Sequence, residues 1–258
     1  MEGVKLLSVM GSGAFFIVGR TKSGKDTFGK NQLIQLSHSG VDYVRLVLIG
    51  KTVKWHSDWN FVKTREFQSR MGLKEVTLID YTEMPKIIEM ATDMEKSLCS
   101  VENPKKNESD KSAMKRRLRE EKKKSILIEN SKTLIYFTDI MGDIPMTTKD
   151  DPFVKLMCYV RHYDWTMMVC MQSFSGIGRI AMENAGMVIM FTPSKTGFEK
   201  IADYMDIDPC KKEVSKWIKN KKYRSVVYIN YWGHDDTPPD KPMGIDPVDN
   251  TYRSVNII

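Results

Sequence analysis

Residues 14–27 read AFFIVGRTKSGKDT, and this stretch decides the fold. Five consecutive apolar residues at positions 14–18 are typical of a buried strand, and residues 27–36 suit a helix. The segment between them matches the pattern GxxxxGK, in which glycines allow backbone N–H groups to turn inward around phosphate oxygens. The helix that follows adds its positive amino-terminal end. The sequence therefore predicts a phosphate-binding loop between a strand and a helix.

The loop and the first residues of the helix are the predicted nucleotide-binding residues. They are Gly19, Arg20, Thr21, Lys22, Ser23, Gly24, Lys25, Asp26 and Thr27. The Lys25 ammonium is expected to reach the β- and γ-phosphates of ATP. Asp26 stands where Ser or Thr usually holds Mg²⁺, so either Thr27 supplies the hydroxyl through a shifted turn or Asp26 meets the metal through water. Thr27 is the preferred metal ligand of the two.

Outward from the loop, apolar strand patterns alternate with helical patterns along most of the chain. Strands are predicted at residues 43–49, 76–79, 133–137, 166–171, 188–191 and 225–231, and helices at residues 85–97, 153–162, 198–205 and 213–220. Most of these strands are apolar throughout, which is typical of strands buried on both faces of a parallel sheet. The expected fold class is therefore α/β, with a mostly parallel central sheet flanked by helices.

Residues 1–232 are expected to form one domain, because 258 residues suffice for one large α/β unit. Residues 103–124 interrupt it as a basic insertion with ten Lys/Arg and four Asp/Glu, which accounts for six of the seven net positive charges. The first half of the insertion is expected to be a loop and the second half an exposed helix without an apolar face. Residues 233–258 are rich in Pro and Asp and predict an irregular tail or arm.

The composition also argues against several classes of protein. No apolar run reaches the roughly 18 residues that a bilayer requires, so no stable membrane insertion is expected. The first residues are not typical of a secretion signal. The four cysteines have no CxxC spacing, which disfavours a zinc site or a disulfide framework and favours a reducing compartment.

Polar residues near the ends of buried strands are the candidate catalytic residues. Asp139 follows the strand TLIYF and is expected to hold Mg²⁺ or to activate water, with Asp143 as the candidate second acid. Gln172 follows the next strand and is expected to lie between the acidic strand and the γ-phosphate, where it would orient water. Arg161 and Arg179 flank that strand, and either is a candidate arginine finger for a neighbour's ATP. A salt-bridged surface arginine is the alternative for each.

The order of these motifs resembles the FtsK–HerA superfamily. It is most similar to the genome-packaging ATPases of poxviruses, other large DNA viruses and membrane-containing double-jelly-roll viruses. In that group a helix ending in Arg-His precedes a strand ending in Gln, and Ile-x-Arg and Asn-Ala lead into the next strand. The matching residues here are Arg161, His162, Gln172, Ile177, Arg179, Asn184 and Ala185. Asp80-Tyr81-Thr82-Glu83 is similar to the Tyr-Thr stretch that such proteins carry between their two nucleotide motifs.

The chain departs from that group at two positions within residues 15–191, the span that the resemblance covers. Asp26 lies in the phosphate loop, and Thr138 stands where the group usually has its first acid. One of the two acidic roles, metal binding or activation of water, therefore has no obvious carboxylate.

The resemblance implies a RecA-like P-loop fold and a homo-oligomeric ring, a pentamer or hexamer, with active sites between subunits. It implies a motor that uses ATP and Mg²⁺ to translocate double-stranded viral DNA into a capsid at its portal vertex. The expected location is the host cytoplasm, the site of virion assembly or the virion itself. Residues 103–124, or residues 51–70 with Trp55, Trp59 and Phe61, are the candidate segments to face DNA phosphates. A solvated surface without a partner is the alternative for both segments.

Two other functions remain open from the sequence. The segment Ser-Gly-Lys-Asp-Thr also resembles the phosphate loop of small phage deoxynucleoside monophosphate kinases. In such an enzyme, residues 114–124 could form the basic lid. The missing second acid favours a third reading, a nucleotide-binding ring subunit without turnover.

Overall fold

The computed structural model describes residues 13–38, 40–99, 110–129, 131–140, 145–174, 176–191, 194–206, 208–229, 243–248 and 251–256. One sheet of nine strands forms the centre of the molecule. The strands are β1 Gly13–Val18, β2 Arg45–Ile49, β3 Glu75–Ile79, β4 Thr133–Ile140, β5 Thr166–Met171, β6 Ala185–Met190, β7 Ser225–Ile229, β8 Met243–Val248 and β9 Thr251–Asn256. The helices are α1 Lys25–Leu36, α2 Arg65–Arg70, α3 Met84–Cys99, α4 Asp110–Glu129, α5 Pro152–His162, α6 Arg179–Glu183, α7 Lys195–Met205 and α8 Lys211–Asn220. Short 3-10 helices span Ser57–Lys63 and Tyr81–Glu83.

The strands lie in the order β3-β2-β4-β5-β1-β6-β7-β8-β9. The first six of these are mutually parallel, and β7, β8 and β9 continue the sheet in antiparallel fashion. The predicted α/β class with a mostly parallel central sheet is confirmed. Because the carboxyl ends of parallel strands meet at one edge of a sheet, the loops after β1, β4 and β5 are neighbours.

Both faces of the parallel sheet are buried, which explains why its strands are apolar throughout. In β1, Phe15 and Ile17 pack with α1 and the segment before β3, whereas Phe16 and Val18 pack with α3, α5, α6 and α7 on the other face. Gly29 lets α1 approach the sheet closely, since a Cβ at this position would collide with the hydroxyl of Tyr136 on β4.

The prediction of an irregular carboxyl-terminal tail is wrong for β8 and β9. Residues 225–227 of β7 pair with residues 243–245 of β8, so the chain extends the open edge of the sheet. The sequence predicted an irregular segment here because it is rich in proline, and a proline such as Pro247 cannot donate a hydrogen bond to a neighbouring strand. Pro247 lies beyond the last residue of β8 that pairs with β7, and it pairs with Tyr252 of β9. The domain boundary at residue 232 and the role of the tail as an arm stay predictions.

The basic insertion contains the expected helix, and this helix is longer than predicted. It starts at Asp110, inside the predicted loop, and runs to Glu129. Residues 103–109 lie outside the described part of the chain. The helix does carry large exposed apolar side chains, at Met114, Leu118 and Ile126. Within the described ranges, no helix is long and apolar enough to cross a membrane.

Candidate active site

Residues 19–24 connect β1 to α1 at the carboxyl edge of the sheet. The N–H of Gly19 donates to the Met171 carbonyl at the end of β5, 3.0 Å away, and the N–H of Phe191 donates to the Val18 carbonyl, 2.8 Å away. A Cβ at Gly19 would collide with Ser23 Oγ and lie 2.8 Å from the Cβ of Phe191. The loop is therefore held on both sides by strand ends, and its first position accepts only glycine.

The backbone of this loop has the shape of an anion-binding site. Lys22 and Gly24 are left-handed, with φ of 63° and 96°, and Gly24 is the amino-terminal cap of α1. Such alternation turns successive N–H groups to one side, where the helix end adds positive potential. The Ser23 hydroxyl is buried and has no hydrogen-bond partner in the described part of the chain. A buried polar group without a partner is costly, and a phosphate oxygen would supply one. The loop thus fits the nucleotide predicted for it.

Lys25 and Asp26 form an ion pair at the start of α1. The Lys25 ammonium is almost fully buried, at 2% exposure, and lies 2.9 Å from both carboxylate oxygens of Asp26. The Asp26 side chain is 44% exposed and reaches the surface. The residue that replaces the usual Ser or Thr therefore serves as the anionic partner of the loop lysine.

The Asp26 carboxylate also acts electrostatically on Tyr136 of the acidic strand. Burial raises the pKa of Tyr136 on β4, and the nearby groups that raise it further are Cys170 and the Asp26 carboxylate. Thr27 is exposed in the first turn of the helix. The described residues contain no cluster of three or more metal-ligating side chains. Mg²⁺ needs few protein ligands when phosphates and waters complete its shell, so a carboxylate or hydroxyl here suits it.

The backbone of β4 is irregular where the acidic residue was predicted. Phe137 pairs with Val169 and Ile140 with Met171, so Thr138 and Asp139 together face the single residue Cys170. A bulge of this kind changes the direction of side chains at a strand end. The side chain of Asp139 and the whole of Asp143 lie outside what the structure describes, and their catalytic roles stay predictions.

Residues that follow β2 and β3 contact the bulge and hold its backbone in place. The Tyr81 hydroxyl donates to the Thr138 carbonyl over 2.5 Å, and a Cβ at Gly50 would lie 2.5 Å from the Thr138 methyl. Tyr81 belongs to the segment that resembled the Tyr-Thr stretch of packaging ATPases. The sequence marked that segment but did not show that it holds the backbone beside Asp139.

Gln172 lies where the sequence placed it in the order of strands. It follows β5, which is inserted between β1 and β4, and its neighbour Met171 accepts the hydrogen bond from Gly19. The side chain is half-buried. A glutamine between the phosphate loop and the acidic strand end is suitably placed to orient water near a γ-phosphate.

The two candidate arginine fingers lie at opposite ends of the parallel strands, Arg161 at the amino ends and Arg179 at the carboxyl ends. Arg161 is in the last turn of α5, four residues before Trp165, whose carbonyl accepts from the first residue of β1. This edge is roughly 20 Å from the phosphate loop, the length of a six-residue strand. The side chain of Arg161 lies outside the described part. Its position does not serve its own loop, and a role in trans stays a prediction.

Arg179 begins α6 at the same edge as the phosphate loop. Its side chain is 71% exposed and its Nε donates to Glu183 over 2.6 Å, a bond that raises the pKa of Arg179. The segment before Arg179 is held in place at Gly178. The N–H of Gly178 donates to the Met146 carbonyl over 2.7 Å, and a Cβ there would lie 2.6 Å from the Thr147 carbonyl oxygen.

The aromatic residues of segment 51–70 divide into core and surface. Trp59 is buried against Tyr136, with ring centroids 5.1 Å apart, and Phe61 packs edge-on against Phe67. Trp55 is 83% exposed beside Lys54. Of the three aromatic residues predicted to face DNA, Trp55 is therefore the exposed one.

No protein-family model matches the chain, and no curated protein matches it. Among solved structures, it is similar to the genome packaging NTPase B204 from Sulfolobus turreted icosahedral virus 2 in complex with ATP-gammaS. The identity is 15% and the TM-score 0.48, over 85% of this chain and 92% of that chain. It is also similar to the pCW3 conjugation coupling protein TcpA with ATPgS, at 12% identity and a TM-score of 0.49, over 85% and 58% of the two chains. The first of these is the kind of protein that the motifs resemble.

Proposed function

We propose that this chain hydrolyses ATP to ADP and phosphate and couples the reaction to the movement of double-stranded DNA. The observation that carries the proposal is the insertion of β5 between β1 and β4. This insertion brings the phosphate loop, Gln172 and the acidic strand end to one edge of the sheet. Binding of a nucleotide does not require a polar residue at the end of β5. Hydrolysis requires a group that positions water, and Gln172 can serve as that group.

The residues of the candidate site have distinct roles in this reaction. The Ser23 hydroxyl and the loop N–H groups hold the β-phosphate region, and the Lys25 ammonium moves from Asp26 to the β- and γ-phosphate oxygens. Gln172 orients the attacking water. Mg²⁺, when bound, would neutralise charge on the same oxygens. Asp26 or Thr27 on α1 and Asp139 on β4 would hold it.

The finer proposal is a ring of five or six subunits that packages viral DNA into a capsid at the site of virion assembly. Its support is the order of motifs around Gln172 in the sequence and the basic, exposed surfaces of the fold. α4 exposes Lys115, Arg119, Lys122 and Lys123, and the loop after β2 exposes Trp55. Basic residues on a surface bind DNA through its phosphates with release of counterions.

ATP turnover with and without double-stranded DNA tests the activity. The wild-type protein is expected to hydrolyse ATP faster with DNA, and Lys25→Ala to lose turnover in both conditions. Gln172→Ala is expected to bind ATP normally but to lose turnover by about 100-fold, within the range of a lost water-positioning group. Transfer of phosphate to a nucleoside monophosphate would identify a kinase instead. Tight binding without turnover would identify a ring subunit that does not hydrolyse ATP.

Mixing of two inactive variants tests catalysis between subunits. Arg179→Ala keeps its phosphate loop, and Lys25→Ala keeps its arginine, so mixed rings contain some interfaces with both groups. Recovery of turnover on mixing is expected, because charge on the γ-phosphoryl group needs a cation beyond Lys25. No recovery in mixed rings of proven composition would remove Arg179 from this role, and the same experiment then applies to Arg161.

A further inference from the structure

A pocket of about 360 Å³ lies beside the phosphate loop, on the side away from Gln172. Its lining includes Arg20 and Ser23 of the loop, Phe191 after β6, and Ile218, Tyr223 and Arg224 around the end of α8. In the order of strands, β6 and β7 flank β1 on one side, and β5 and β4 flank it on the other. The volume is within the usual range for sites of small organic molecules, ~300–1,000 Å³.

Tyr223 is the residue that ties this pocket to the phosphate loop. Its ring packs directly on the loop, because a Cβ at Gly24 would lie 2.8 Å from Tyr223 Cδ1. The ring is nevertheless 43% exposed. The backbone of Tyr223 is left-handed, with φ of 69°, a conformation that is unfavourable for a bulky aromatic residue and that concentrates at functional sites.

The turn that carries Tyr223 is anchored by its neighbours. The Arg224 guanidinium lies 3.9 Å from the ring centroid of Trp217 on α8. The indole N–H of Trp217 donates to the Ser225 carbonyl over 3.1 Å, where β7 begins. These contacts hold the backbone of the turn that presents Tyr223 to the pocket.

The direction of a bound nucleotide follows from the strand order. In the proposed function, the γ-phosphate faces Gln172 and the bulge of β4, on the β5 side of the loop. The phosphate chain crosses the loop, so the α-phosphate and the nucleoside leave on the β6 side. That side contains the exposed Tyr223 ring, the apolar side chains of Phe191 and Ile218, and the cations Arg20 and Lys222.

We propose that this pocket binds the nucleoside of the triphosphate, with the base stacked on the ring of Tyr223. This inference rests on the proposed function, since it takes its direction from the γ-phosphate. Among the described residues that line it there is no carboxylate or side-chain amide, and the charged groups are all cations. The amino group of adenine therefore meets no carboxylate or amide acceptor there, and stacking serves every base alike. The site is expected to accept ATP and GTP with affinities that differ by less than about threefold, because stacking on an aromatic ring does not distinguish the two bases.

Binding of ADP and of inorganic triphosphate by calorimetry tests the assignment, because triphosphate has no base. Tyr223→Ala is expected to weaken ADP about 10-fold, the effect of one lost stacking contact, and to leave triphosphate within about twofold. Tyr223→Phe is the matched control and retains wild-type affinity for both probes. The inference is overturned if Tyr223→Ala binds ADP as wild type does, or if it weakens both probes equally. The second result would assign Tyr223 to support of the loop or the pocket to a free phosphate.

Failure of the proposed function has a different signature. Lys25→Ala is expected to lose triphosphate and ADP together. Retention of both probes by Lys25→Ala would remove the phosphate site itself, whatever Tyr223→Ala does. A preference of wild type for ATP over GTP by more than about 10-fold would also overturn recognition by stacking, because it requires a specific acceptor for the amino group.

Discussion

The ion pair between Lys25 and Asp26 permits a quantitative test of the site through Asp26→Asn. Unit charges 2.9 Å apart attract by about 6 kcal/mol at an effective dielectric constant near 20. Most of this is offset, because Lys25 is desolvated and the 44% exposed Asp26 is screened by water. We expect a loss of about 1–2 kcal/mol in the free energy of unfolding without nucleotide. For a chain of this size that lowers Tm by roughly 3–6 °C.

The same variant should recover stability when nucleotide binds. Phosphate oxygens then replace the Asp26 carboxylate as the partner of Lys25, so the deficit in Tm should shrink by at least half at saturating ADP. The assay is thermal unfolding followed by circular dichroism over a range of ADP concentrations. EDTA in all samples removes any contribution of Asp26 as a metal ligand.

Glu75→Gln is the matched control for this experiment. Glu75 pairs with Arg45 over 2.7 Å at the amino ends of β2 and β3, on the edge of the sheet away from the loop. Loss of this exposed pair should cost less than about 0.5 kcal/mol and should not depend on ADP. If Asp26→Asn lowers Tm equally with and without ADP, Lys25 does not change partners and the reasoning fails.

Four further outcomes are expected. Gly29→Ala should destabilise the protein by about 1–3 kcal/mol in urea unfolding, because its Cβ meets the Tyr136 hydroxyl; an unchanged midpoint would show that α1 shifts freely. The Lys54 hydrogen bond holds the pKa of Glu83 at about 2, below the ordinary 4.5. The stability that Glu83 contributes is complete above pH 4.5 and is lost as the pH falls through about 2, so Glu83→Gln should flatten the acid limb of stability against pH. An acid limb equal to that of wild type would contradict this. Asp139→Asn should nearly abolish ATP turnover, and near-normal turnover would move the acidic role elsewhere. Deletion of residues 103–124 removes most of α4, so it should lower the helical circular dichroism signal but keep a cooperative unfolding transition, and it should reduce the salt dependence of DNA binding, whereas an unchanged slope would place the DNA contact elsewhere.

The sequence predicted the parallel core because burial on both faces leaves uniformly apolar strands. It predicted the phosphate loop because the positions of Gly19 and Lys25 are fixed by backbone chemistry. The bulge at Thr138 and Asp139 left no such mark, since it depends on register with β5. β8 and β9 were missed because edge pairing tolerates the Pro and Asp residues that elsewhere end a strand.

The residues around Tyr223 were missed for another reason. The stretch KNKKYR at residues 219–224 has the composition of a solvated turn. Its position against the loop arises from the return of α8 into β7, a long-range contact that no local pattern encodes. Trp59 was misplaced because an isolated aromatic residue in a basic segment has the same local pattern in a core and on a surface.

The hydrogen bond from Tyr81 to the β4 bulge connects the exposed loop after β2 with the backbone beside Asp139. Lys54, next to the exposed Trp55, pairs with Glu83 over 2.5 Å, and Glu83 also accepts the N–H of Asp80. These bonds shape the turn from which Tyr81 holds the Thr138 carbonyl, one residue before Asp139. A polyanion that binds Lys54 would break its ion pair with Glu83. The turn that carries Tyr81 could then move, and the backbone at Thr138 with it. If DNA binds at Trp55, as proposed, this series of contacts would connect DNA binding to the backbone beside Asp139.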